Sequence, residues 1–242
     1  MLPYVIIVFT AFVAGFIQSF TGLGAAAVMM VVLPWYFSPL QAPAICQMIC
    51  IACSVSLLIP LRRSVNLRFA LPPTVIYTLM SVVAIRFVKN LDLGLLNLLF
   101  GIFLLLLAVW FFFFEGKVRI PAGKGSMVAS SAFSGILGGV FGVGGPTMAL
   151  WFLAATEDRL LYLSSLQVLF TASNVVSTIS RAANGILTAD LLPPALLGMV
   201  GVLCGNWLGL RSAKKLNPDY FRKGVYLCVG LSGLIQLINH IF

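Results

Sequence analysis

Apolar residues fall in long blocks: 4–21, 24–37, 42–61, 69–88, 93–114, 128–141, 146–155, 162–180, 187–210 and 224–242. Short stretches rich in Pro, Gly, Asn or charge separate them. Blocks near 20 residues match the thickness of a bilayer's hydrocarbon core. There the backbone must satisfy its own hydrogen bonds, which makes each block a helix. A membrane β-barrel would show shorter segments of alternating polarity. Blocks 24–37, 128–141 and 146–155 are short for a crossing, since ten helical residues reach only about 15 Å. Gly22-Leu23-Gly24 interrupts the first pair of blocks, and Gly142-Val143-Gly144-Gly145-Pro146 interrupts the second pair, before and after which 128–141 and 146–155 lie. Glycine admits open backbone conformations and proline lacks an N–H, so both interruptions predict broken, re-entrant hairpins.

Composition narrows the class. Of 242 residues, 61% are apolar and 9% charged, and mean hydropathy is +1.08. Soluble domains carry about a quarter charged residues. A soluble globule, a disordered chain and a coiled coil are therefore excluded, leaving a polytopic membrane protein of roughly eight to ten membrane segments. The net charge of +9 is read as loop topology signals, with no soluble basic patch for nucleic acid. The segment Met1-Leu2-Pro3-Tyr4 has no Lys or Arg, so the basic start of a cleaved signal peptide is not expected. Cys46, Cys50, Cys53, Cys204 and Cys228 all lie in apolar blocks, and an odd, buried set is no disulfide framework.

The chain repeats itself. Gly15 to Gly24 aligns with Gly135 to Gly144 at an offset of 120, which also pairs Gln47 with Gln167; one further residue pairs Pro72-Pro73 with Pro193-Pro194. This predicts two halves, 1–115 and 127–242, joined by a basic cytoplasmic linker at 116–126. If each broken pair returns to its own side, Arg62, Arg63, Arg68, Lys117, Arg119, Lys124, Arg159, Arg211, Lys214, Lys215, Arg222 and Lys223 share one face of the membrane, against Arg86, Lys89 and Arg181 on the other, a split of 12 to 3. Continuous spans give 7 to 8. The positive-inside rule selects the hairpins, with both termini outside and the second half inverted. The expected fold is thus an all-α polytopic membrane protein of two inverted repeats, each a glycine-broken hairpin plus three transmembrane helices. Interrupted segments at matching positions of two inverted halves are the sequence sign of a secondary transporter.

The breaks are the first candidate site. Helix N-termini offer free N–H groups and a positive dipole end, and so attract anions. Thr21, Gly22, Gly24, Gly142, Gly144, Gly145 and Thr147 are expected around an anion bound near mid-membrane; close packing of small residues is the plainer alternative. Gln167, Thr171, Asn174 and Thr178 fall on one face of a helix, and Arg181 continues the stripe. Gln47 and Ser54 hold the matching phase in the first half. The two glutamines are expected to contact the anion. No carboxylate falls within a span: Asp92, Glu115, Glu157, Asp158, Asp190 and Asp219 lie in loops or at segment ends. That favours an anionic or neutral substrate over a cation. Arg86 and Arg181 either attract anions or snorkel towards an interface. Cys46, Cys50 and Cys53 share a face, and polarizable core packing outweighs a soft-metal or sulfur-relay role. No cofactor or metal is expected. A small anion and lipid are the expected partners, with a homodimer left open.

At the glycine clusters the sequence resembles the sulfite exporter TauE/SafE family, whose doubled motif reads Gly-x-x-x-x-x-x-Gly-[Ile/Val]-Gly-Gly-[Gly/Pro]. Gly15 to Ala26 and Gly135 to Pro146 are the two copies. The second fits closely; the first has Ala25-Ala26 in place of the usual glycines. Where the family often has Ala-x-x-Thr-Ser, this chain has Gln47-Met48 and Gln167-Val168. The resemblance implies a multi-pass protein of the bacterial inner membrane that transports sulfite or organosulfonates and is not an enzyme. A thiol enzyme using the three cysteines, and a carboxylate transporter, are the competing readings.

Overall fold

The computed structural model describes residues 2–113 and 121–212, the side chains of 2 and 111–113 excepted. Block 224–242, linker residues 116–120, and Lys117, Arg119, Lys214, Lys215, Arg222, Lys223, Glu115, Asp219, Cys228 and His240 lie outside them, as does the chain's C-terminal end.

The described residues form nine α-helices and no strand: α1 (Leu2–Thr21), α2 (Ala25–Val32), α3 (Gln41–Leu61), α4 (Leu67–Val88), α5 (Leu93–Phe113), α6 (Lys124–Phe141), α7 (Gly145–Ala155), α8 (Arg159–Ala183) and α9 (Leu192–Ser212). Six, namely α1, α3, α4, α5, α8 and α9, are long and apolar enough to cross a membrane; Ala25–Trp35 and Gly145–Ala155 are shorter apolar segments. The helix limits follow local chemistry. Asn66 and Asp158 cap α4 and α8, their side chains accepting from Phe69 N–H and from Leu160 and Leu161 N–H, which supplies acceptors to otherwise unpaired first-turn amides. Pro193 and Pro194 stand in the first turn of α9, where no N–H is needed. Two limits differ from the apolar blocks. Block 24–37 stops being α-helical at Val32, because Pro34 turns the chain into a 3-10 segment at Leu33–Trp35. Block 128–141 belongs to a longer helix that starts at Lys124.

Packing pairs the helices in a regular way. α1 lies on α9 and α4 on α6; α3 contacts α8 and α9, and α4 also contacts α8. Glycine stripes set two of these contacts. A Cβ at Gly201 or Gly205 would meet the carbonyl of Val8 or Phe12, and one at Gly209 would meet Ser19, so α1 and α9 run parallel with backbones touching. A Cβ at Gly135 or Gly139 would meet the carbonyl of Tyr77 or Ser81, so α4 and α6 are parallel too. Without a hydrophobic force between helices in lipid, such close approach is what holds them together. Ser164 Oγ donates to Ser64 O at 2.9 Å near the start of α8, while Arg181 near its end meets Gln47 on α3. α3 and α8 are therefore antiparallel. At the second break the chain doubles back: Gly144 lies against Ser134 and Gly138, and Ser131 Oγ donates to Met148 Sδ at 3.3 Å.

The core gathers around the breaks. Ile7, Met29, Met30, Ile45, Ile49 and Leu104 are buried together, with Phe141 at their edge. Phe103 of α5 stacks on Phe141 with centroids 4.5 Å apart. Large apolar side chains are exposed around the outside; on α4, Leu71, Val75, Leu79 and Val83 form such a stripe at every fourth residue. A bilayer covers faces of this kind.

Candidate site at the glycine breaks

Break one is closed largely by its own residues. Gly22 and Gly24 take left-handed conformations, with φ of 77° and 112°, which is why glycine is needed there. The Thr21 hydroxyl bonds Ile17 O at 3.1 Å and the carbonyl of Leu23, and accepts from Leu23 N–H at 3.2 Å. Ala25 N–H, the first amide of α2, donates to Gln18 Oε1 at 3.0 Å.

Break two has different fittings. Gly142 is left-handed with φ 74°, but Gly144 is not, and no side chain caps α7. In the first turn Gly145 and Thr147 present N–H groups and Pro146 has none. The side chains matched to Gln18 and Thr21 at the offset of 120 are Gly138 and Phe141, and neither can bond the backbone. Neighbours serve the carbonyls at the end of α6 instead. Gln47 Nε2 donates to Gly138 O at 2.9 Å, and Arg181 Nη2 to Gly139 O at 2.5 Å.

The two glutamines cross between the halves. Gln47 of the first half serves Gly138 of the second, and Gln167 Nε2 of the second donates to Gly22 O of the first at 2.8 Å. Gln18 Nε2 joins this set through Gln167 Oε1 at 3.5 Å. Arg181 Nε donates to Gln47 Oε1 at 2.9 Å.

Arg181 neither snorkels nor lies at a surface. It is fully buried, with no carboxylate partner among the described residues, and its Nη1 has no hydrogen-bond partner. Burying an unpaired charge costs several kcal/mol in order of magnitude. The C-terminal end of α6, where carbonyls concentrate negative charge, offsets part of that cost. The guanidinium thus adds positive potential directly behind break two.

A cavity of about 40 Å³ lies between the breaks. One water needs about 10–15 Å³ on the same measure, so it has room for several waters or one small oxyanion. Gln18, Leu23, Gly24, Ala26 and Ala27 line it from break one, Gly142 to Pro146 from break two, and Cys50, Tyr77, Phe170 and Asn174 from α3, α4 and α8. Of the residues singled out in the sequence, Gly24, Gly142, Gly144, Gly145 and Asn174 are in its wall. Thr21, Gly22, Gln47, Gln167 and Arg181 stand behind it in the hydrogen-bond network. Thr147 is in the first turn of α7 but is not among the lining residues, and neither is Thr171, whose hydroxyl, like that of Thr178, is buried without a partner.

Gln18, Tyr77 and Asn206 join the site without a signal in the doubled motif or the polar stripes of α3 and α8. Asn206 fastens α9 to α3, donating to Cys53 O at 3.0 Å and Ser56 Oγ at 2.6 Å. Thr74, Tyr77 and Ser81 recur at helical spacing on α4 and are all buried, a polar stripe that points to this face. Ser81 Oγ meets Ser177 Oγ of α8 at 2.9 Å. The cysteines pack: Cys46 and Cys50 sulfurs are 4.0 Å apart, and Ser54 bonds its own helix at Cys50 O at 2.8 Å. No group of three or more metal-ligating residues occurs among the described residues.

No solved structure matches the chain. A curated protein of Cupriavidus necator, described as a probable sulfite/organosulfonate exporter TauE, is 28% identical over 121 residues, which are 49% of this chain and 47% of that protein. The chain thus matches about half the length of that relative. Residues 7–235, nearly the whole sequence, match the family described as sulfite exporter TauE/SafE, and the chain belongs to that family of membrane transport proteins.

Proposed function

We propose that this protein is a secondary transporter that carries a small sulfur-containing anion, sulfite or an organosulfonate, by alternating access. The observation that carries the proposal is the cavity bounded by both glycine breaks, with backbone and amide donors in its wall and no carboxylate. Gly24, Gly144 and Gly145 supply donors, Asn174 reaches the anion from α8, and Gln47, Gln167 and Arg181 hold the two breaks in register. Sulfur chemistry is supported by the family and by the name of the C. necator relative.

Inverted repeats are part of this reading. Exchanging α1 with α6, α2 with α7, α3 with α8 and α4 with α9 turns the α1–α9 contact into α6–α4, and the α4–α8 contact into α9–α3. The α3–α8 contact maps onto itself. The helix directions agree with hairpins entering from opposite faces, and the charge count puts both termini outside. Rocking one half against the other would then expose the central cavity to each side in turn.

Reconstitution tests it. Flux of sulfite, sulfoacetate, taurine, thiosulfate and acetate is compared in proteoliposomes, with and without a pH gradient. Saturable flux of a sulfur anion is expected, and the gradient response reports proton coupling. Folded protein that moves none of them would refute the assignment.

A further inference from the structure

We propose that the Tyr77 hydroxyl is a direct, specificity-determining contact for the anion, and that it makes break two the tighter half of the site. The inference rests on the transport reading above and adds a residue from α4 that neither the repeat nor the glycine motif contains.

Tyr77 is 95% buried, at 5% exposure, yet it lines the cavity. Its hydroxyl makes no hydrogen bond to a described residue, and it is not sealed in the core but borders the cavity's open space. The space it fills is space that two glycines leave: a Cβ at Gly138 or at Gly144 would collide with the Tyr77 oxygen. That puts the hydroxyl beside the uncapped first turn of α7. The first break has no equivalent. Gln18 stands there in place of Gly138 and engages the first amide of α2, and the positions matched to Tyr77 are Leu197 and Gly198.

Gln18 is engaged at both ends of its amide, with Ala25 and Gln167. Tyr77 and Asn174 line the cavity and their side chains make no hydrogen bond to a described residue, and Gly144 and Gly145 at the start of α7 are in the same wall. These are three kinds of neutral donor, from α4, α8 and α7. A sulfite or a sulfonate head has three oxygens that only accept, so each donor can take one. A phenol next to such a group donates, and hydrogen bonds to a charged acceptor are the strong ones. Because Tyr77 rides on a helix of the first half and α7 belongs to the second, a bound anion would bridge the two.

Tyr77→Phe removes the oxygen and keeps the ring. Three quantities are read on wild type and variant: half-saturation for sulfite uptake in proteoliposomes, the unfolding midpoint in detergent without anion, and the gain in that midpoint on adding sulfite. Half-saturation should rise about tenfold, the order expected for one hydrogen bond to a charged group. The anion-free midpoint should stay put while the gain from sulfite shrinks. Thr74→Val, one turn away and bonded only to Ala70 O, serves as the control and should leave half-saturation unchanged. Unaltered half-saturation in Tyr77→Phe overturns the proposal. So does a lower anion-free midpoint with the sulfite gain intact, since that is a packing role. If the wild type itself shows neither saturable uptake nor a sulfite-dependent midpoint, the transport reading fails first and this contact falls with it.

Discussion

The two glycine breaks share one motif and differ in how their backbones are completed. Break one has its own Thr21 and Gln18 bonded across the turn. At break two those positions are Phe141 and Gly138, and residues from α3, α4 and α8 come in to serve it. The two breaks thus have similar glycine-rich backbones and different side chains around them. Break one closes its turn with its own side chains and takes one further donor from Gln167 of α8. The other depends on its neighbours and keeps the donors of α7 uncovered, which is the arrangement a binding site requires.

Steric sensitivity should separate the breaks most strongly. Gly144 has an ordinary backbone conformation, but an added Cβ would strike Ser134 O and the Tyr77 hydroxyl. Gly24 has room, its nearest atom being an Ile17 methyl carbon at 3.9 Å, but a φ of 112°. Gly144→Ala should abolish sulfite flux. Gly24→Ala should cost about 1–2 kcal/mol of backbone strain and retain flux at a reduced level. Equal loss in both would erase the distinction between the breaks.

Next in size is Arg181→Gln. It removes the buried charge together with the bonds to Gln47 Oε1 and Gly139 O. Flux should fall at least tenfold, the scale of about 1.4 kcal/mol, with half-saturation raised. Wild-type half-saturation would show that the guanidinium contributes no potential to the site.

The crossing glutamines come third. Gln167→Leu leaves the buried Gly22 carbonyl without its glutamine donor, and Gln47→Leu leaves Arg181 Nε without its acceptor, each a loss of about 1–3 kcal/mol, readable as a lower midpoint in thermal unfolding. The pair should be less than additive if the network works as a unit. Smallest of all should be the triple replacement of Cys46, Cys50 and Cys53 by Ala. It costs some packing and should retain flux, whereas a thiol mechanism would be lost.

Much of this architecture was readable from the chain. Long apolar blocks marked the helices, and Gly22 to Gly24 and Gly142 to Pro146 marked where they break. Gly24, Gly142, Gly144, Gly145 and Asn174, picked out by motif and helical spacing, do line the cavity. What escaped has physical causes. Pro34 looked like one apolar residue in a block, although it ends α2. Arg181 reads as an interfacial cation until the end of α6 is seen to accept its bonds. Tyr77 sits in an apolar run where an aromatic ring is ordinary core, and only three-dimensional packing brings its hydroxyl to the space above Gly138 and Gly144. Gln18 lies inside the glycine motif but matches a glycine in the other copy, so comparing the halves hid it.

Counterflow tests the central claim most directly. Proteoliposomes containing the protein are loaded with unlabelled sulfite, diluted into labelled sulfite, and the label inside is followed. Alternating access through a central site predicts transient accumulation of label above its equilibrium level, saturating with external sulfite and absent in Gly144→Ala. Label that only rises to equilibrium at the rate of protein-free vesicles, from protein shown to be folded, would contradict it.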